Sequence, residues 1–579
     1  MTPVQVAEEA LRRANDPQYP HVWIRKLEPG RLLSLARALP AKPADDLPLY
    51  GVPFAIKDNI DLEGTPTTAG CPDFAFDPKQ SAVVVEKLIA AGALPVGKTN
   101  LDQFATGLVG VRSPYGICRS VFNGHHIAGG SSSGSAIAVA SGMVGFALGT
   151  DTAGSGRVPA AFNNIVGHKP TRGLLSNRGV FPACRSLDCV SIFAGSCHDA
   201  QRVLEIVAGF DDGDPYSRQK PRATGVFPEA FRFGILASSQ REFFGDSGAA
   251  ALYVEAIQRL RDCGGEAVEF DFTSFAEAAA LLYRGPWVAE RRSAIGEFFV
   301  AHNDKIHPVV REILAGADKF DAVATFDAQY RLEEYRQAAR KVFSGLDLLL
   351  LPTTGTIYRI DEVLADPVGL NSNLGHYTNF VNLLDLAAVA LPAGFRSNGL
   401  PFGVSLIAPA FSDDALLSLG ARYHAALGGT IGITSAKVAD QPFPAMKNSG
   451  VMLAVVGAHL RGQPLNHQLT SRHARFIRQT RTSPNYRLYA LANTQPPKPG
   501  LRRVVERIDR GIEVEVWALD EAAFGSFVAE IPSPLGIGTV ELEDGSAVKG
   551  FLCEPIGLDG ARDITEFGGW RAYRQSLNK

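Results

Sequence analysis

Serine and glycine are concentrated in one block of the sequence, residues 128–171, where two clusters stand on either side of an apolar stretch. The first cluster is GGSSSGS (129–135) and the second is GTDTAGSGR (149–157). Glycine lets the backbone approach a ligand closely, and consecutive N–H groups in a tight turn such as DTAGS form a concavity that binds anions. Either cluster alone would indicate a flexible loop. Together they indicate a serine nucleophile beside an oxyanion-binding turn.

Three shorter motif matches suggest other chemistry, but their context does not support it. The segment GALPVGKT (92–99) fits the phosphate-binding pattern GxxxxGK[ST], although it follows a helix and is itself strand-like. The segment GSSSG (130–134) fits the nucleophile elbow GxSxG, but no apolar strand precedes it and no HGGG-type motif is present. The segment AMKN (445–448) is similar to a biotin-attachment sequence, but no hairpin flanks it. We therefore predict neither nucleotide binding, an α/β-hydrolase site nor biotin attachment.

The two clusters belong to a longer pattern that resembles the amidase-signature family. The second cluster continues into PAAFNNIVGHKPT (159–171), and the resemblance covers residues 1 to 430. Further matching segments lie upstream and downstream, namely GVPFAIKDNID (51–61), AGALPVGKTNLDQFATG (91–107), LDLLLLPTT (346–354), LDLAAVALPAGF (384–395) and GLPFGVSLIAP (399–409).

The resemblance implies a catalytic triad without histidine. The family's lysine falls on Lys57, its bridging serine, which lies in a cis peptide, falls on Ser131, and its nucleophile falls on Ser155. It also implies an oxyanion hole formed by backbone N–H groups, those of Thr152, Ala153, Gly154 and Ser155.

This chemistry requires Lys57 to act as a neutral base. A serine hydroxyl is a poor nucleophile at neutral pH until a base removes its proton. Burial lowers the pKa of a lysine because desolvation disfavours the charged form. We therefore predict a dry pocket around Lys57, with Ser131 relaying the proton between Ser155 and Lys57. Asp151 and Arg157 are predicted to brace the loop rather than react.

The residues around the nucleophile differ from those of many family members. Many have two glycines before the nucleophile and a branched residue after it, whereas this chain reads AGSG (153–156). With RGPWVAERRSAIGEF (284–298), this variant resembles the allophanate hydrolase branch, in which a tyrosine and an arginine recognise the substrate. These match Tyr283 and Arg291, which we predict two helical turns apart on one face.

The C-terminal segment resembles the small β-barrel-like domain of gamma-glutamylcyclotransferases, as that of allophanate hydrolases does. It contains VVGAHLRGQPLNHQL (455–469), in which Gly457 and Gly462 are predicted to form a strand-to-helix loop. The resemblance implies that the first domain releases ammonia from allophanate to give N-carboxycarbamate, and that the second promotes its decarboxylation. His467 is the predicted catalytic group of the second domain.

An α/β core must position these residues. Helical patterns such as AVVVEKLIAAG (82–92) alternate with short apolar runs such as LDLLLLPTT (346–354). At the N-terminus, Thr2 is a predicted helix cap and Pro3 the first helical residue. These patterns predict an α/β fold, and the resemblance implies that it is the amidase-signature fold, a mixed sheet covered by helices.

The chain is predicted to contain two domains. We assign residues 1–430 to the amidase domain and residues 431–450, which are rich in Gly, Pro, Ser and Lys, to a linker. Residues 451–579 form the gamma-glutamylcyclotransferase-like domain, a small β-rich α+β unit with a turn at Asp544 and Gly545.

Bulk composition limits the class of partner. The 579-residue chain is 46% hydrophobic and 20% charged, with a net charge of −3 and no sustained basic run. We therefore predict a small-molecule substrate and no binding to nucleic acid or membranes. Seven cysteines form neither a CxxC pair nor a zinc-binding spacing, which predicts reduced thiols, a cytoplasmic protein and no metal site. No cofactor is predicted.

The resemblance implies an allophanate hydrolase that ends urea degradation downstream of a biotin-dependent urea carboxylase, and it suggests a homodimer. Two alternatives remain open, a broad-specificity amidase and the glutamine-hydrolysing component of an amidotransferase. The C-terminal extension argues against the amidotransferase component.

Overall fold

The computed structural model describes residues 1–40, 47–221, 227, 230–439, 441, 443, 450–472 and 474–577. It divides into two compact units. The first unit consists of Met1–Lys220 and Glu229–Phe443, and the second of Pro221–Pro228 and Pro444–Lys579.

The first unit is built on an 11-stranded mixed sheet. Its strands are β1 (Trp23–Lys26), β2 (Pro53–Lys57), β3 (Leu94–Thr99), β4 (Phe146–Asp151), β5 (Val166–Lys169), β6 (Cys189–Ala194), β7 (Phe231–Leu236), β8 (Gly265–Phe270), β9 (Leu348–Pro352), β10 (Leu386–Phe395) and β11 (Pro401–Pro409). They are hydrogen-bonded in the order β1-β3-β2-β4-β6-β5-β10-β11-β9-β7-β8.

Helices pack against this sheet and connect its strands. They are α1 (Pro3–Ala14), α2 (Pro29–Ala38), α3 (Val83–Ala90), α4 (Ser133–Ala140), α5 (Val158–Phe162), α6 (Cys197–Val207), α7 (Ser247–Asp262), α8 (Thr273–Arg284), α9 (Trp287–Ile295), α10 (Glu297–Ala301), α11 (Pro308–Ala315), α12 (Ala322–Phe343), α13 (Ile360–Ala365), α14 (Gly369–Leu374), α15 (Phe380–Leu383) and α16 (Asp413–Leu427).

The sheet lies in the interior, as its sequence requires. Every residue of β3, β4, β6 and β9 is buried, because these continuous apolar runs are covered on both faces. Helix α1 begins as predicted, with the Thr2 side chain accepting the amide hydrogen of Gln5 and Pro3 in the first turn. The predicted α/β class, a mixed sheet covered by helices, is confirmed.

The second unit is β-rich and has its own apolar core. A five-stranded sheet has the order β13-β16-β12-β18-β17 and a three-stranded sheet the order β15-β14-β19. The strands are β12 (Val451–Val455), β13 (Arg475–Arg481), β14 (Tyr486–Ala490), β15 (Pro499–Arg503), β16 (Glu513–Leu519), β17 (Leu535–Glu541), β18 (Ala547–Cys553) and β19 (Arg562–Asp563). The helices are α17 (His467–Thr470), α18 (Glu521–Ala529) and α19 (Trp570–Ser576).

Two predicted turns of the second unit are present. Strands β17 and β18 pair in antiparallel register across the Asp544-Gly545 turn, where Gly545 has a φ of 82°. Gly457 and Gly462 lie in the loop that joins β12 to α17.

The predicted linker, residues 431–450, is only partly described. Its first half packs on the first unit, where the amide of Ile433 donates to the carbonyl oxygen of Ala140 at 3.0 Å. Residues 440, 442 and 444–449 lie outside the described residues, and with them the AMKN sequence.

Across the described ranges, no helix combines the length and apolar character that a membrane span requires.

Candidate active site

Two parallel strands place the predicted base, Lys57, at their carboxyl ends. Strand β2 ends at Lys57 and runs parallel to β4, which ends at Asp151, so that their carboxyl ends meet. Lys57 is fully buried and its Nζ donates to Ser131 Oγ at 2.8 Å and to Thr150 Oγ1 at 2.7 Å. Ser131 precedes α4, and the Gly130–Ser131 peptide bond is cis. The structure therefore brings together the first two members of the predicted triad.

The surroundings of Lys57 favour a neutral amine. Burial lowers its pKa from 10.5 to about 7, although the carboxylates of Asp188, Asp102 and Asp151 act in the opposite direction. No ion pair holds the ammonium among the described residues, and both hydrogen-bond partners are hydroxyl groups. Lys57 can therefore accept a proton near neutral pH, as its predicted role requires.

The predicted nucleophile, Ser155, lies in a turn that follows β4. The Asp151 carboxylate accepts the amides of Gly154 at 2.8 Å and Gly156 at 3.0 Å, on either side of Ser155. Arg157 Nε donates to the same carboxylate at 2.9 Å, and both side chains are fully buried. Asp151 and Arg157 thus brace the turn rather than forming a surface ion pair.

The turn leaves several backbone N–H groups available to an oxyanion. Among the residues that the structure describes, the amides of Thr152, Ala153 and Ser155 have no hydrogen-bond acceptor. The predicted donor Gly154 requires a correction, because its N–H is engaged by Asp151, whose buried carboxylate needs donors. Thr152, Ala153 and Ser155 therefore remain as the candidate oxyanion hole.

The unusual AGSG sequence fits its local packing. A side chain at Gly154 would place Cβ 2.5 Å from Thr378 Oγ1, and its φ of +136° disfavours other residues. At Gly156 a Cβ would lie 2.5 Å from Cβ of Ser191. A branched residue at position 156 would therefore clash with Ser191.

A buried acid, Asp188, supports the oxyanion turn and was not predicted. It accepts a hydrogen bond from Thr152 Oγ1 and the amides of Ala183 at 2.7 Å and Cys184 at 3.2 Å. Burial raises its pKa to about 6. Asp188 lies far along the sequence from Thr152, and an isolated aspartate before β6 does not by itself indicate this contact.

Tyr283 and Arg291 meet as predicted, but not on one helix. Gly285 and Pro286 end α8 and begin α9, which separates the two residues onto different helices. The guanidinium carbon of Arg291 lies 5.3 Å from the centre of the Tyr283 ring, a cation–π contact. The prediction of a shared helical face is thus wrong, although the pairing itself is present.

Arg291 is a buried cation without a carboxylate partner. It is 2% exposed, and its Nη1 donates to Thr106 Oγ1 at 3.4 Å. Its Nε has no hydrogen-bond partner, and within the described part of the chain no Asp or Glu forms an ion pair with it. A buried charge is unfavourable unless paired, so this site is suited to an anionic ligand.

The second unit contains a cavity of about 200 Å³, but the predicted His467 does not line it. His467 is exposed, and its Nδ1 lies 2.9 Å from the carbonyl oxygen of Pro464. His459 lines the cavity instead, with Lys498 and Gln468. The structure therefore moves the candidate from His467 to His459, because a side chain pointing to solvent cannot enclose a substrate.

His459 is held in a defined orientation. Its Nε2 lies 2.8 Å from Gln468 Oε1, and its ring stacks on Phe551 and meets the edge of Phe527. Burial lowers the pKa of His459, which favours the neutral imidazole. His459 follows the buried residues Val456 to Ala458, which is consistent with its place inside the unit.

The motif GALPVGKT forms strand β3, as its apolar character predicts. Its Lys98 is buried and pairs with Asp58 at 3.4 Å, so it is not a phosphate ligand. In the described ranges, no group of three or more His, Cys, Asp or Glu side chains is arranged to hold a metal ion.

The acid limb of the pH profile provides a first prediction. Catalysis needs neutral Lys57, so kcat/KM should rise with pH and level off above a midpoint of about 7. The Asp188 carboxylate raises the pKa of Lys57, so Asp188→Asn should move that midpoint to lower pH while reducing activity. An unchanged or higher midpoint in this variant would contradict the assignment of Lys57 as the titrating base.

The fold and the arrangement of Lys57 and Ser131 are those expected of an amidohydrolase of the predicted family. In agreement, residues 5–417 match the model of the Amidase family, and the chain belongs to this family. Residues 451–575 match the model described as the allophanate hydrolase C-terminal domain.

Several individual proteins and structures are similar to this chain over most of its length. The chain is 44% identical to the urea amidolyase of Saccharomyces cerevisiae, covering 100% of this chain and 32% of that protein. The structure of an allophanate hydrolase from Kluyveromyces lactis matches with a TM-score of 0.75 and 43% identity, covering 100% of this chain and 97% of that one. A glutamyl-tRNA(Gln) amidotransferase component from Symbiobacterium thermophilum is 34% identical, covering 73% of this chain and 93% of that protein. The chain thus spans about a third of the length of the urea amidolyase.

Proposed function

We propose that this chain is an allophanate hydrolase, in which the first unit releases ammonia from allophanate and the second promotes decarboxylation of the product. The observation that carries the proposal is the unpaired, buried Arg291 beside Tyr283 in the same unit as Lys57 and Ser131. A guanidinium fork matches a carboxylate through two parallel charge-assisted hydrogen bonds. Allophanate carries such a carboxylate one NH group from its scissile carbonyl.

The first chemical step forms an acyl-enzyme. Ser155 Oγ attacks the carbonyl carbon that bears the terminal amino group, and its proton passes through Ser131 to Lys57. The oxyanion is bound by the amides of Thr152, Ala153 and Ser155. Lys57 then returns the proton through Ser131 to the leaving nitrogen, and ammonia departs.

Water completes the cycle by the same route in reverse. It attacks the acyl carbon, its proton passes to Lys57, and the bond to Ser155 breaks as the serine recovers a proton. The product is N-carboxycarbamate, which still carries the carboxylate held by Arg291. No histidine takes part in this half of the reaction.

The second unit is proposed to act on this product. Decarboxylation breaks one C–N bond, releases carbon dioxide, and requires a proton on the nitrogen to leave carbamate. Lys498 can bind a carboxylate and His459 can supply or guide the proton, since both line the cavity. Carbamate then breaks down to ammonia and carbon dioxide. The likeness of this unit to gamma-glutamylcyclotransferases remains a prediction.

Two histidine variants test the role of the cavity. We expect His459→Ala to slow decarboxylation by about 100-fold, the lower range for loss of a general acid or base. His467→Ala is the matched control and should behave like the unaltered chain. Carbon-13 NMR of the reaction would then show N-carboxycarbamate accumulating only with His459→Ala. Accumulation only with His467→Ala would restore the sequence-based choice.

The experiment that separates the candidate functions compares substrates without any partner protein. The purified chain is offered allophanate, propionamide and glutamine, and kcat/KM for ammonia release is measured for each. We expect allophanate to be preferred. A preference for glutamine would favour an amidotransferase component, and equal use of propionamide would favour a broad-specificity amidase.

We also propose a cytoplasmic homodimer that works downstream of a biotin-dependent urea carboxylase. All seven cysteines are buried free thiols, which is typical of a reducing compartment. The additional length of the urea amidolyase relatives supports a link to an activity that supplies allophanate. The homodimer rests on family resemblance.

A further inference from the structure

A second feature of the first unit lies beside the proposed carboxylate site. It is a cavity of about 420 Å³ lined by Tyr283 and by residues of α8, α11 and α14. Three basic side chains line it, those of Arg112, Arg284 and Lys319, against one acidic side chain, that of Glu312. An excess of one sign of charge in a cleft attracts ligands of the opposite sign.

Arg112 makes this cavity more than a charged surface. It is 1% exposed, and its backbone amide donates to Asp102, which fixes its position. Its Nη groups donate to the carbonyl oxygens of Thr106 and Pro367, and its Nε has no hydrogen-bond partner among the residues that the structure describes. In the described part of the chain no carboxylate pairs with its guanidinium. A desolvated cation with a free donor is a built site for an anion.

The cavity adjoins the Arg291 site through shared residues. Thr106 accepts Arg112 Nη1 with its carbonyl oxygen at 3.1 Å and Arg291 Nη1 with its hydroxyl at 3.4 Å. Tyr283 lines the cavity and also forms the cation–π contact with Arg291. The two buried guanidinium groups are therefore joined by one threonine, and Tyr283 contacts the inner arginine from the wall of the cavity.

We propose that this cavity is an entrance vestibule that captures small carboxylate substrates. Exposed Arg284 and Lys319 attract the anion, and buried Arg112 holds its carboxylate before it passes Tyr283 to reach Arg291. This inference rests on the proposed function, since it assumes that the substrate is an anion. Apart from Tyr283, which also contacts Arg291, the residues that line the vestibule have no role in the chemistry at Ser155.

The test removes the two exposed charges without touching a buried residue. Arg284→Gln/Lys319→Gln is compared with Lys79→Gln/Arg202→Gln, which removes the same charge at exposed positions outside the cavity. At low ionic strength we expect the first pair to lower kcat/KM for allophanate roughly fivefold, through KM, and the control pair to have no effect. Above about 0.5 M salt the difference should vanish, because screening then acts over a few ångströms.

A variant of opposite sign and a binding measurement complete the test. Glu312→Gln removes the cavity's acidic side chain and should raise kcat/KM about twofold under the same conditions. The same substitutions are then made in the Ser155→Ala background, where allophanate binds without turnover. Calorimetric titration with allophanate should rank the variants by Kd in the same order as kcat/KM does.

Four results would overturn the vestibule. Equal behaviour of the two charge-removal pairs would mean that only net charge matters, and weaker binding in Glu312→Gln would reverse the required sign. If the unaltered chain releases no ammonia from allophanate, the proposed function fails and the vestibule fails with it. Normal turnover by the unaltered chain with no effect of these variants would remove the vestibule alone.

Discussion

Ser155→Ala should reduce kcat on allophanate by at least about 10⁴-fold, because removing one member of a catalytic unit costs nearly as much as removing all of it. The turn around residue 155 is held by Asp151 through the neighbouring glycine amides, so the fold should not depend on the serine hydroxyl. Lys57→Ala should give a loss of similar size. Circular dichroism and thermal unfolding would show that both variants are folded.

The relay provides a graded comparison for this prediction. Ser131→Ala should be less severe than Ser155→Ala, since a water molecule can replace a relay but not a nucleophile. Near-native turnover by Ser155→Ala would show that the nucleophile is assigned wrongly. A Lys57→Ala variant that kept most of its activity would likewise remove lysine from the mechanism.

Arg291→Ala should lose allophanate activity by about tenfold to a hundredfold in kcat/KM, because a hydrogen bond to a charged group contributes about 1.5 to 3 kcal/mol. The loss should be small on a neutral amide such as propionamide, if the unaltered enzyme accepts it, since Ser155 and its base are not altered. Arg292→Ala is the matched control, because the neighbouring Arg292 is partly exposed and pairs with Asp318 at 2.6 Å. Equal losses on both substrates would refute the carboxylate contact.

The sequence predicts a triad because its motifs are local, and the role of Ser155 in that triad stays a prediction. Lys57, Ser131 and Ser155 each lie in a segment whose glycine, serine and strand pattern is specific to the family, and the structure places the first two within hydrogen-bond distance. The partners that tune them are not local. Thr150 and Asp188 act through contacts between distant segments, which a single sequence does not reveal.

The wrong predictions also have physical causes. A spacing of eight residues suggested one helical face for Tyr283 and Arg291, but Gly285 and Pro286 divide the helix. The predicted oxyanion hole had four donors because it did not take into account the hydrogen bond that the Gly154 amide donates to Asp151. In the second unit His459 lines the cavity, whereas the predicted His467 is exposed, a difference in burial that no local motif signals.

The central claim is that this chain hydrolyses allophanate with Ser155 as nucleophile, and ammonia release tests it most directly. The purified full chain and Ser155→Ala are incubated side by side with a known amount of allophanate, without any partner protein, until the reaction ends. We expect two molecules of ammonia for each allophanate consumed by the unaltered chain, and none above background with Ser155→Ala. No ammonia from the unaltered chain, or equal release by both chains, would contradict it.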